Sequence, residues 1–588
     1  MASPIVNHVS WRIGGQQGEG IDSTGDIFTK AIARYGLHLY TYRSFSSRIR
    51  GGLTFFEVRI RDHPVAARPD TVDVVLALGQ EVIDATLETI SDGAIILYDS
   101  DAFTPTIEGG HKDKVHLVGV PMTKIAEANG SKIMRNMVGL GATAALLGME
   151  LDPFFEFVQE RFGKKGEKVV NMNKAVITAG RDAVKDTFTA SRWKLERRPL
   201  PATGRRMVIN GNAALSFGAL VGGTRFIAGY PITPATDVME WFIDNGEDHH
   251  AAVIQTEDEL AAVNMILGAS YAGVRALTAT SGPGLSLMTE AIGLAGMAEH
   301  PIMIVDVMRP GPSTGLPTKH SQADLNFAVY GGHDDFPRIV CSPTTVEEAF
   351  YLVQHALNWM EEYQVPVFFL IDQDLAIANS PIDALDVKRV KIRRGKLLTR
   401  EQAAQFVPDT YKRYEFTDDG VSTRTIPGYP NTLFLSSGSE SDDRGVITEN
   451  RTNRNRKMEK RQLKLDTFAK RAPKDTPFVE VHGTKDAKIG VITWGSTTAV
   501  VDEATARMTD LKTKRMAIKV LWPFPSKEVK DFMAGCDKVF VVESNFSGQL
   551  AELVKKEIGG HEKVIKILKY DGTPFRPSEI VNEIQEAL

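Results

Sequence analysis

A threonine in the segment Tyr230-Pro-Ile-Thr-Pro234 has the surroundings of a group that binds a carboxylate or a carbonyl. Prolines on both sides of Thr233 restrict the backbone, and the segment lies between an apolar run typical of a strand and a predicted helix. A hydroxyl held on a rigid strand–helix loop is a good hydrogen-bond donor to a ligand. It would equally serve to cap the following helix, and the residues alone leave both interpretations open.

Three acids lie in the segment Gln255-Thr-Glu-Asp-Glu259, and their spacing separates their expected roles. Thr256 and Glu259 fit a capping box, in which each side chain bonds a free backbone N–H at the start of a helix. Asp258 is favourable near that helix N-terminus. Glu257 has neither role and follows an apolar strand, where partial desolvation would raise the pKa of its carboxyl group. Such a group can share a proton with a ring nitrogen, although one more first-turn acid is the plain alternative.

Two further loops carry candidate binding groups. Ser281-Gly-Pro-Gly284 connects a predicted strand to a helix, which would let a flat ring approach the backbone, or simply make a sharp turn. Arg309 follows the apolar run IMIVDVM. An arginine at the carboxyl end of a parallel strand lies where open α/β sheets bind ligands, and it suits bidentate capture of a carboxylate. A surface salt bridge is the alternative.

These loops need a parallel sheet to bring them together. Apolar runs of strand length alternate with longer amphipathic segments, which predicts α/β domains with parallel strands. The 588 residues correspond to about four domains at roughly 150 residues each. We predict an α/β domain at 1–190, a basic proline-containing linker at 191–206, a second α/β domain at 207–385, a polar excursion at 386–475 and a third α/β domain at 476–588.

The glycine-rich turn Gly14-Gly-Gln-Gln-Gly-Glu-Gly20 follows the first predicted strand. Backbone N–H groups in such a turn can bind phosphate, and Arg48 and Arg50 lie beside another glycine pair. The turn is neither a Walker loop nor a clean dinucleotide fingerprint. A tight strand–helix connection and a contact with a nucleotide-like ligand or a partner surface therefore remain open.

Composition excludes several classes of protein. The formal charge of −5 and the pI of about 6.3 argue against a nucleic-acid-binding protein held by its net charge. The two cysteines, Cys341 and Cys536, exclude a disulfide framework and a four-cysteine iron–sulfur site within this chain. The histidines lack metal-ligand spacing. We see no signal peptide and no apolar stretch of about 18 residues, so we expect a cytoplasmic protein without a membrane partner.

Together the segments resemble a known family. YPITP, QTEDELAAVNMILGASYAG, TATSGPGLSLMTEAIGLA and RPGPSTGLPTK are similar to the α subunit of 2-oxoacid:ferredoxin oxidoreductases. GGQQGEG with SRIRGG resembles that family's γ domain, fused ahead of α. ITWGS, LWPFP, VESNFSGQL and KYDGTPFRP resemble its transketolase-C-like domain. The likeness covers nearly the whole chain and implies a multidomain α/β fold. In it, 207–385 would be a pyrimidine-type thiamine-diphosphate-binding domain, 1–190 a γ-type domain and 476–588 the transketolase-C-like domain.

The resemblance also implies roles for individual residues. Glu257 matches the glutamate that hydrogen-bonds the aminopyrimidine ring of thiamine diphosphate, and is the expected catalytic residue. Thr233 and Arg309 match positions that contact the substrate carbonyl or carboxylate, and Thr318 matches one near the distal end of the substrate. The expected cofactor-binding residues are Tyr230, Pro231, Ser281 and Gly282, and the expected coenzyme A contacts are Arg48 and Arg50.

The resemblance implies a site shared between two chains. This chain lacks a Gly-Asp-Gly…Asn-like diphosphate motif and cluster cysteines. Mg²⁺ and a [4Fe-4S] cluster are therefore expected on a β subunit, with thiamine diphosphate between the subunits in a dimer of αβ heterodimers. Ferredoxin and coenzyme A are the further expected partners. One departure is Ser439-Glu-Ser-Asp-Asp-Arg444, where relatives often carry a histidine and this chain has none.

The γ–α fusion and the KYDGTPF segment look most like the 2-oxoglutarate branch of the family. The expected reaction is oxidative decarboxylation of 2-oxoglutarate with coenzyme A to succinyl-CoA, carbon dioxide and reduced ferredoxin, or the reverse carboxylation of a reductive tricarboxylic acid cycle. The alternatives are the same reaction on pyruvate or a branched-chain 2-oxoacid, a ferredoxin-independent thiamine decarboxylase, and a non-catalytic scaffold. Retention of Glu257, Thr233 and Arg309 argues against the scaffold.

Overall fold

The computed structural model describes residues 4–46, 51–185, 191–200 and 206–588. Contacts divide the chain into two units. The first contains Met1–Asn210, Ile377–Leu385 and Arg576–Glu579, and the second contains Gly211–Ala376, Asp386–Phe575 and Ile580–Leu588. The finer five-part division stays a prediction.

The strands are, in chain order, β1 (Ile5–Val6), β2 (Val9–Gln16), β3 (His38–Ser44), β4 (Leu53–Arg61), β5 (Val72–Ala77), β6 (Ile90–Asp99), β7 (Val115–Val120), β8 (Trp193–Lys194), β9 (Met207–Ile209), β10 (Phe226–Gly229), β11 (Ala252–Gln255), β12 (Ala276–Thr280), β13 (Met303–Met308), β14 (Ile339–Cys341), β15 (Val367–Asp372), β16 (Ser380–Ile382), β17 (Val479–Gly483), β18 (Ile489–Thr493), β19 (Thr513–Ile518), β20 (Val520–Trp522), β21 (Lys538–Glu543) and β22 (Val564–Leu568).

The α-helices are α1 (Ile21–Arg34), α2 (Gln80–Asp84), α3 (Met122–Ala128), α4 (Arg135–Leu146), α5 (Asp152–Phe162), α6 (Glu167–Lys185), α7 (Gly211–Val221), α8 (Thr236–Asn245), α9 (Glu259–Tyr271), α10 (Gly282–Leu287), α11 (Thr289–Met297), α12 (Leu325–Tyr330), α13 (Val346–Tyr363), α14 (Gln373–Ile377), α15 (Arg400–Ala404), α16 (Arg451–Arg471), α17 (Thr497–Arg507), α18 (Ser526–Ala534), α19 (Gln549–Ile558) and α20 (Pro577–Glu586). Among the described helices, none has the length and apolarity needed to cross a membrane.

The first unit contains a six-stranded sheet in the order β3-β4-β2-β5-β6-β7. Strands β2, β5, β6 and β7 are parallel, as the sequence predicts, but β4 runs antiparallel to both β2 and β3. The expectation of an all-parallel sheet is therefore wrong for β4, which runs opposite to the strands on both sides of it. Parallel neighbours need a crossover of about a dozen residues or more, and only residues 45–52 separate β3 from β4.

The glycine turn at Gly14–Gly20 connects β2 to α1, as the strand–turn–helix pattern predicts. Gly18 and Gly20 have φ angles of 99° and 79°, in the left-handed region that glycine adopts without strain. The Gly20 carbonyl accepts a hydrogen bond of 3.1 Å from Asn136 Nδ2 on α4. The turn is thus bound into its own unit, and Arg48 and Arg50 lie outside the described residues.

Residues 191–200, part of the predicted linker, pack onto the first unit. Strand β8 pairs in parallel with β1. Trp193 and Leu195 are buried in the apolar core. The segment therefore continues the first unit, because its two large apolar side chains are removed from water.

The second unit contains two sheets. The larger has the order β11-β10-β12-β13-β15-β14-β20, and its first six strands are parallel. Strand β20 runs antiparallel to β14. The smaller sheet has the order β17-β19-β18-β21-β22, with β17 antiparallel to β19. Apolar side chains of both sheets contribute to one continuous core.

The polar segment 386–475 contains α16, a helix that is rich in charged residues and yet has one buried face. Lys460 and Lys464 are buried, and their Nζ atoms lie 2.7 Å and 2.6 Å from carboxylate oxygens of the buried Glu299. Burial alone would raise the pKa of Glu299, but the two ammonium groups hold it well below its ordinary value. The helix is therefore fixed to the rest of the second unit by ion pairs in addition to aromatic contacts of Phe468 with Trp359 and Tyr363.

We expect Lys464→Ala to destabilise the second unit by about 3–5 kcal/mol, because it leaves part of the Glu299 charge buried without its partner. Thermal and chemical denaturation of the full chain measures the effect. Lys470→Ala is the matched control, since Lys470 is exposed on the same helix. Equal midpoints for the two variants would contradict a stabilising role for the buried ion pairs.

Candidate functional site

Four loops that carry candidate residues leave the same edge of the larger sheet in the second unit. Gly229 at the end of β10 is opposite Gln255 at the end of β11, and Thr280 of β12 is opposite Asp306 of β13. The connection after β10 leads to one side of the sheet and the connection after β12 to the other. Such a topological switch point is where open α/β sheets bind ligands.

The loops after β10 and β13 are joined directly. Arg309 Nη1 donates a hydrogen bond of 2.8 Å to the Thr233 carbonyl oxygen. Arg309 is only 6% exposed, which rules out the surface salt bridge, and its Nε has no partner among the described residues. Burial lowers the pKa of Arg309, while Asp324 and Glu259 oppose that shift. Thr233 is half-buried and does not cap α8, whose N-cap position is Ala235.

The predicted capping box is wrong. Asp258, rather than Thr256, occupies the N-cap position of α9, with φ −161°, and its Oδ1 accepts a 2.8 Å hydrogen bond from the Ala261 N–H. Thr256 Oγ1 instead donates to the Asp258 carbonyl oxygen at 2.7 Å. Glu259 is the first helical residue and is buried. The N-cap lies two residues later than the capping-box spacing predicts, so the acid that caps the helix is the middle one.

Glu257 is exposed, in contrast to the expected partial burial. Strand β11, which precedes Glu257, is an edge strand of the sheet, and three of its four residues are exposed. Within the described part of the chain, Glu257 makes no hydrogen bond or ion pair. Its carboxylate is therefore available to a group outside this chain.

Several apolar side chains on the elements that flank Glu257 are exposed. Tyr230, directly after the adjacent strand β10, is 41% exposed. Ile254 lies on β11, which ends two residues before Glu257, and Leu260 and Met265 lie on α9; all three are exposed. Exposed apolar groups on neighbouring elements are typical of a surface that another molecule covers.

The loop Ser281–Gly284 is packed against this chain's own acids. Ser281 is fully buried, and its Oγ has no partner among the described residues. A Cβ atom on Gly284 would lie 2.2 Å from Thr280 Oγ1 and 2.5 Å from Glu259 Oε1. The glycine therefore permits close packing within the site.

Gly282 is required for a similar reason, because a Cβ there would lie 3.0 Å from each carboxylate oxygen of Asp324. Asp324 is half-buried, and burial together with the charge of Asp324 raises the pKa of Asp306, in the middle of β13, well above its ordinary value. Sequence reasoning missed both acids. The signal for Asp306 was available, since it is a charged residue inside the apolar run IMIVDVM.

Thr318 is buried, and its carbonyl oxygen accepts a 2.9 Å hydrogen bond from Gln373 Nε2. Its predicted place beside the substrate stays a prediction. Pro231 is half-buried beside Tyr230.

Gln322 holds the loop that carries Thr318, and sequence reasoning missed this residue as well. Gln322 Nε2 donates to Asp372 Oδ2 and to the Trp494 carbonyl oxygen, both at 3.0 Å. Its Oε1 accepts from the Ser544 N–H at 3.0 Å, and its carbonyl oxygen accepts from Asn545 Nδ2 at 3.0 Å. The side chain is fully buried and saturated with hydrogen bonds, so it fixes the loop against the smaller sheet's loops.

Comparisons with known proteins place these features in context. The chain is 33% identical over 634 residues to a 2-oxoacid:ferredoxin oxidoreductase subunit alpha from Sulfolobus sp, covering 99% of this chain and 96% of that one. It is 30% identical over 619 residues to the 2-oxoglutarate oxidoreductase subunit KorA of Mycobacterium tuberculosis, covering 99% of this chain and 92% of the relative. A solved 2-oxoglutarate:ferredoxin oxidoreductase from Magnetococcus marinus, with 2-oxoglutarate, coenzyme A and succinyl-CoA bound, superposes with a TM-score of 0.91 at 36% identity over 99% of both chains.

Three family models match successive parts of the sequence. Residues 10–183 match "Pyruvate ferredoxin/flavodoxin oxidoreductase", and residues 487–580 match "Pyruvate:ferredoxin oxidoreductase core domain II". Residues 217–460 match "Pyruvate flavodoxin/ferredoxin oxidoreductase, thiamine diP-bdg". The predicted fold class, a multidomain α/β chain with a thiamine-diphosphate-binding domain, is confirmed.

We expect Gly284→Ala to destabilise the second unit by about 1–3 kcal/mol, because the added methyl group overlaps Thr280 and Glu259. Thermal denaturation of the purified chain measures the change. Gly293→Ala is the matched control, since the nearest atom to its added Cβ is 4.0 Å away. A Gly284→Ala midpoint equal to that of the control would show that the loop has room that these distances exclude.

Proposed function

The chain belongs to the 2-oxoacid:ferredoxin oxidoreductase α subunits, and from this premise we propose that it acts on 2-oxoglutarate. With coenzyme A, the products are succinyl-CoA, carbon dioxide and reduced ferredoxin, and the reverse reaction is a carboxylation. The observation that carries the proposal is the hydrogen bond between Arg309 and the Thr233 carbonyl oxygen at the switch point of the sheet. The full-length likeness to a solved enzyme that holds 2-oxoglutarate supports the choice of substrate.

Arg309 has the properties of a carboxylate-binding group. Its backbone position is fixed by the end of β13, and one nitrogen is held by the Thr233 carbonyl oxygen at 2.8 Å. The buried Nε keeps an unused N–H. A guanidinium that is oriented on one side and free on another can bind a substrate carboxylate with little loss of side-chain entropy.

The exposed groups near Glu257 fit the pyrimidine part of thiamine diphosphate. The carboxylate of Glu257 is free to accept a hydrogen bond from a ring nitrogen, and the exposed Tyr230 offers a flat apolar surface. Pro231, Ser281 and Gly282 lie on the same strand-end loops. Bound thiamine diphosphate supplies an electron sink at the substrate's carbonyl carbon, which allows carbon dioxide to leave. Glu257 holds the ring in its active protonation state, and Arg309 orients the substrate toward it.

A β subunit completes the proposed site. Ile254, Leu260 and Met265 leave an apolar surface exposed around Glu257, as a subunit interface requires. Within the described residues, no group of three or more His, Cys, Asp or Glu side chains could hold a metal ion. Mg²⁺, the diphosphate and a [4Fe-4S] cluster are thus assigned to the β subunit, in a dimer of αβ heterodimers that passes electrons to ferredoxin. Coenzyme A is the acyl acceptor, and Thr318 contacts the distal end of the substrate.

We expect the co-expressed αβ complex to reduce a viologen dye only when a 2-oxoacid and coenzyme A are both present. In a substrate panel, 2-oxoglutarate should give the highest kcat/KM, because Arg309 and the Thr318 loop offer polar contacts at the strand ends. Higher kcat/KM for pyruvate or a branched-chain 2-oxoacid would move the chain to another branch of the family. Release of carbon dioxide without dye reduction would point to a decarboxylase, and no reduction with any 2-oxoacid would overturn the proposal.

Glu257→Gln should lower kcat of the complex by about 100-fold or more, because the amide cannot take part in proton transfer to the ring. Assembly should survive, since Glu257 is exposed and makes no contact within the described chain. Gel filtration checks assembly, and dye reduction gives kcat. Glu240→Gln, an exposed substitution on α8 of the same domain, is the matched control. Turnover of Glu257→Gln at the control's rate would remove Glu257 from the reaction.

A further inference from the structure

The smaller sheet of the second unit has a switch point of its own. Strands β18 and β21 are parallel neighbours, and β19 and β22 pair in parallel on their outer sides. The chain leaves β18 through α17 toward β19 on one side, and it leaves β21 through α19 toward β22 on the other. The crevice between the loops after two such strands is the usual ligand position of an open α/β sheet.

Gln322, at the end of the loop that follows β13 of the larger sheet, occupies this crevice. Its Nε2 donates to the carbonyl oxygen of Trp494, which directly follows β18, at 3.0 Å. Its Oε1 accepts from the N–H of Ser544, which directly follows β21, at 3.0 Å. The backbone bonds there as well, because the Gln322 N–H donates to the Ser544 carbonyl oxygen at 2.7 Å. One amide side chain therefore bridges the two strand ends as a small bound ligand would.

This side chain is tightly enclosed, since Gln322 is fully buried. Gly495, between β18 and α17, has a φ angle of 58°, and a Cβ there would lie 2.6 Å from Gln322 Nε2 and 2.5 Å from Asp372 Oδ2. Asp372 ends β15 of the larger sheet, and its Oδ2 accepts from Gln322 Nε2 at 3.0 Å and from the Ser496 N–H at 2.8 Å. The smaller sheet therefore uses its crevice to hold a loop of the larger sheet.

The loop held in this way begins with Arg309 and ends with Gln322. Thr318 lies four residues before Gln322. Between them, the His320 N–H donates to the Gly572 carbonyl oxygen, on the loop after β22, at 3.0 Å. Loops after three strands of the smaller sheet thus hold the part of the connection that carries Thr318.

We propose that Gln322 is a positioning residue, through which the smaller sheet sets the place of Thr318 relative to Arg309 and thereby the length of 2-oxoacid that the site accepts. This inference rests on the proposed function, in which Arg309 binds one end of the substrate and Thr318 contacts the other. Displacement of the loop moves one contact relative to the other. A substrate that needs both contacts is therefore affected more than one that needs only Arg309.

The test compares Gln322→Leu with wild type in the assembled αβ complex, with 2-oxoglutarate and the shorter monocarboxylate 2-oxobutyrate as substrates. Leucine fills a similar space but makes none of the side-chain hydrogen bonds of glutamine. We expect KM for 2-oxoglutarate to rise about tenfold, KM for 2-oxobutyrate to change by less than about threefold, and kcat for both to stay within about threefold of wild type. A purely structural role would leave the ratio of kcat/KM for the two substrates unchanged, and that result would overturn the proposal.

Gln354→Leu is the matched control. Gln354 is a buried glutamine on α13, and its Nε2 donates to the Phe350 carbonyl oxygen of the same helix at 2.9 Å. The control should lower the thermal midpoint but keep the wild-type ratio of the two substrates. A change of ratio equal to that of Gln322→Leu would show that loss of any buried amide alters selectivity, and the positioning role would be abandoned.

If Gln322→Leu does not assemble, Gln322→Asn replaces it in the test. The asparagine amide is one methylene group shorter, so it cannot reach the Trp494 carbonyl oxygen and the Ser544 N–H together. We expect the ratio of kcat/KM to shift in the same direction by about threefold. Wild-type selectivity in Gln322→Asn would overturn the proposal.

A binding measurement separates substrate selection from turnover. Calorimetry of the complex with glutarate, which has the length of 2-oxoglutarate without its ketone, should show about tenfold weaker binding to Gln322→Leu than to wild type or Gln354→Leu. Equal affinities for the three proteins would overturn the positioning role. If the wild-type complex prefers a short 2-oxoacid or turns over none, the proposed function fails and this inference with it. If wild type prefers 2-oxoglutarate and Gln322→Leu keeps that preference, only the positioning role fails.

Discussion

Parallel pairing of strands β10 to β13 is the constraint from which the site follows. Residues far apart in sequence meet because each strand ends at the same edge of the sheet. The chain leaves β10 toward β11 on one side and leaves β12 toward β13 on the other, which opens a gap between the loops after β10 and β12. The hydrogen bond from Arg309 to the Thr233 carbonyl oxygen joins the loops that follow β13 and β10. A shift of one residue in the pairing of β13 would point Arg309 to the other face of the sheet and abolish the arrangement.

The acids of the second unit that are removed from water differ in whether a cation is paired with them. Glu299 is neutralised by Lys460 and Lys464 at hydrogen-bonding distance, so its charge is confined to a structural ion cluster. Asp324 forms no ion pair among the described residues, and burial raises its pKa to about 6. Burying a carboxylate without a direct counterion is costly. The two acids therefore show how the presence or absence of a paired cation decides the direction in which burial shifts the pKa of a carboxyl group.

The sequence predicted what depends on local pattern. Apolar runs located the strands, proline and glycine located the loops, and motif likeness selected Glu257, Thr233 and Arg309. Prediction from the sequence failed where the role of a residue depends on contacts with residues distant in sequence. The N-cap is Asp258 and not Thr256, because the helix starts two residues later than the capping pattern implies. Gln322 and Asp324 were missed because their partners, Ser544 and Asp306, are remote in sequence. The segment 386–475 was predicted only as a polar excursion, and the burial of Lys460 and Lys464 was not predicted because Glu299, the acid that pairs with them, is distant in sequence.

The position of β11 at the end of its sheet has a consequence for how such a protein is made in the cell. The strand that presents Glu257 is also an open edge with exposed apolar side chains, and such an edge offers backbone donors and acceptors to any strand that arrives first. Its four-residue length limits that hazard without removing it. A chain of this design gains from synthesis beside a partner in matched amounts, so that this exposed apolar edge is covered before it can pair with a second copy of the chain.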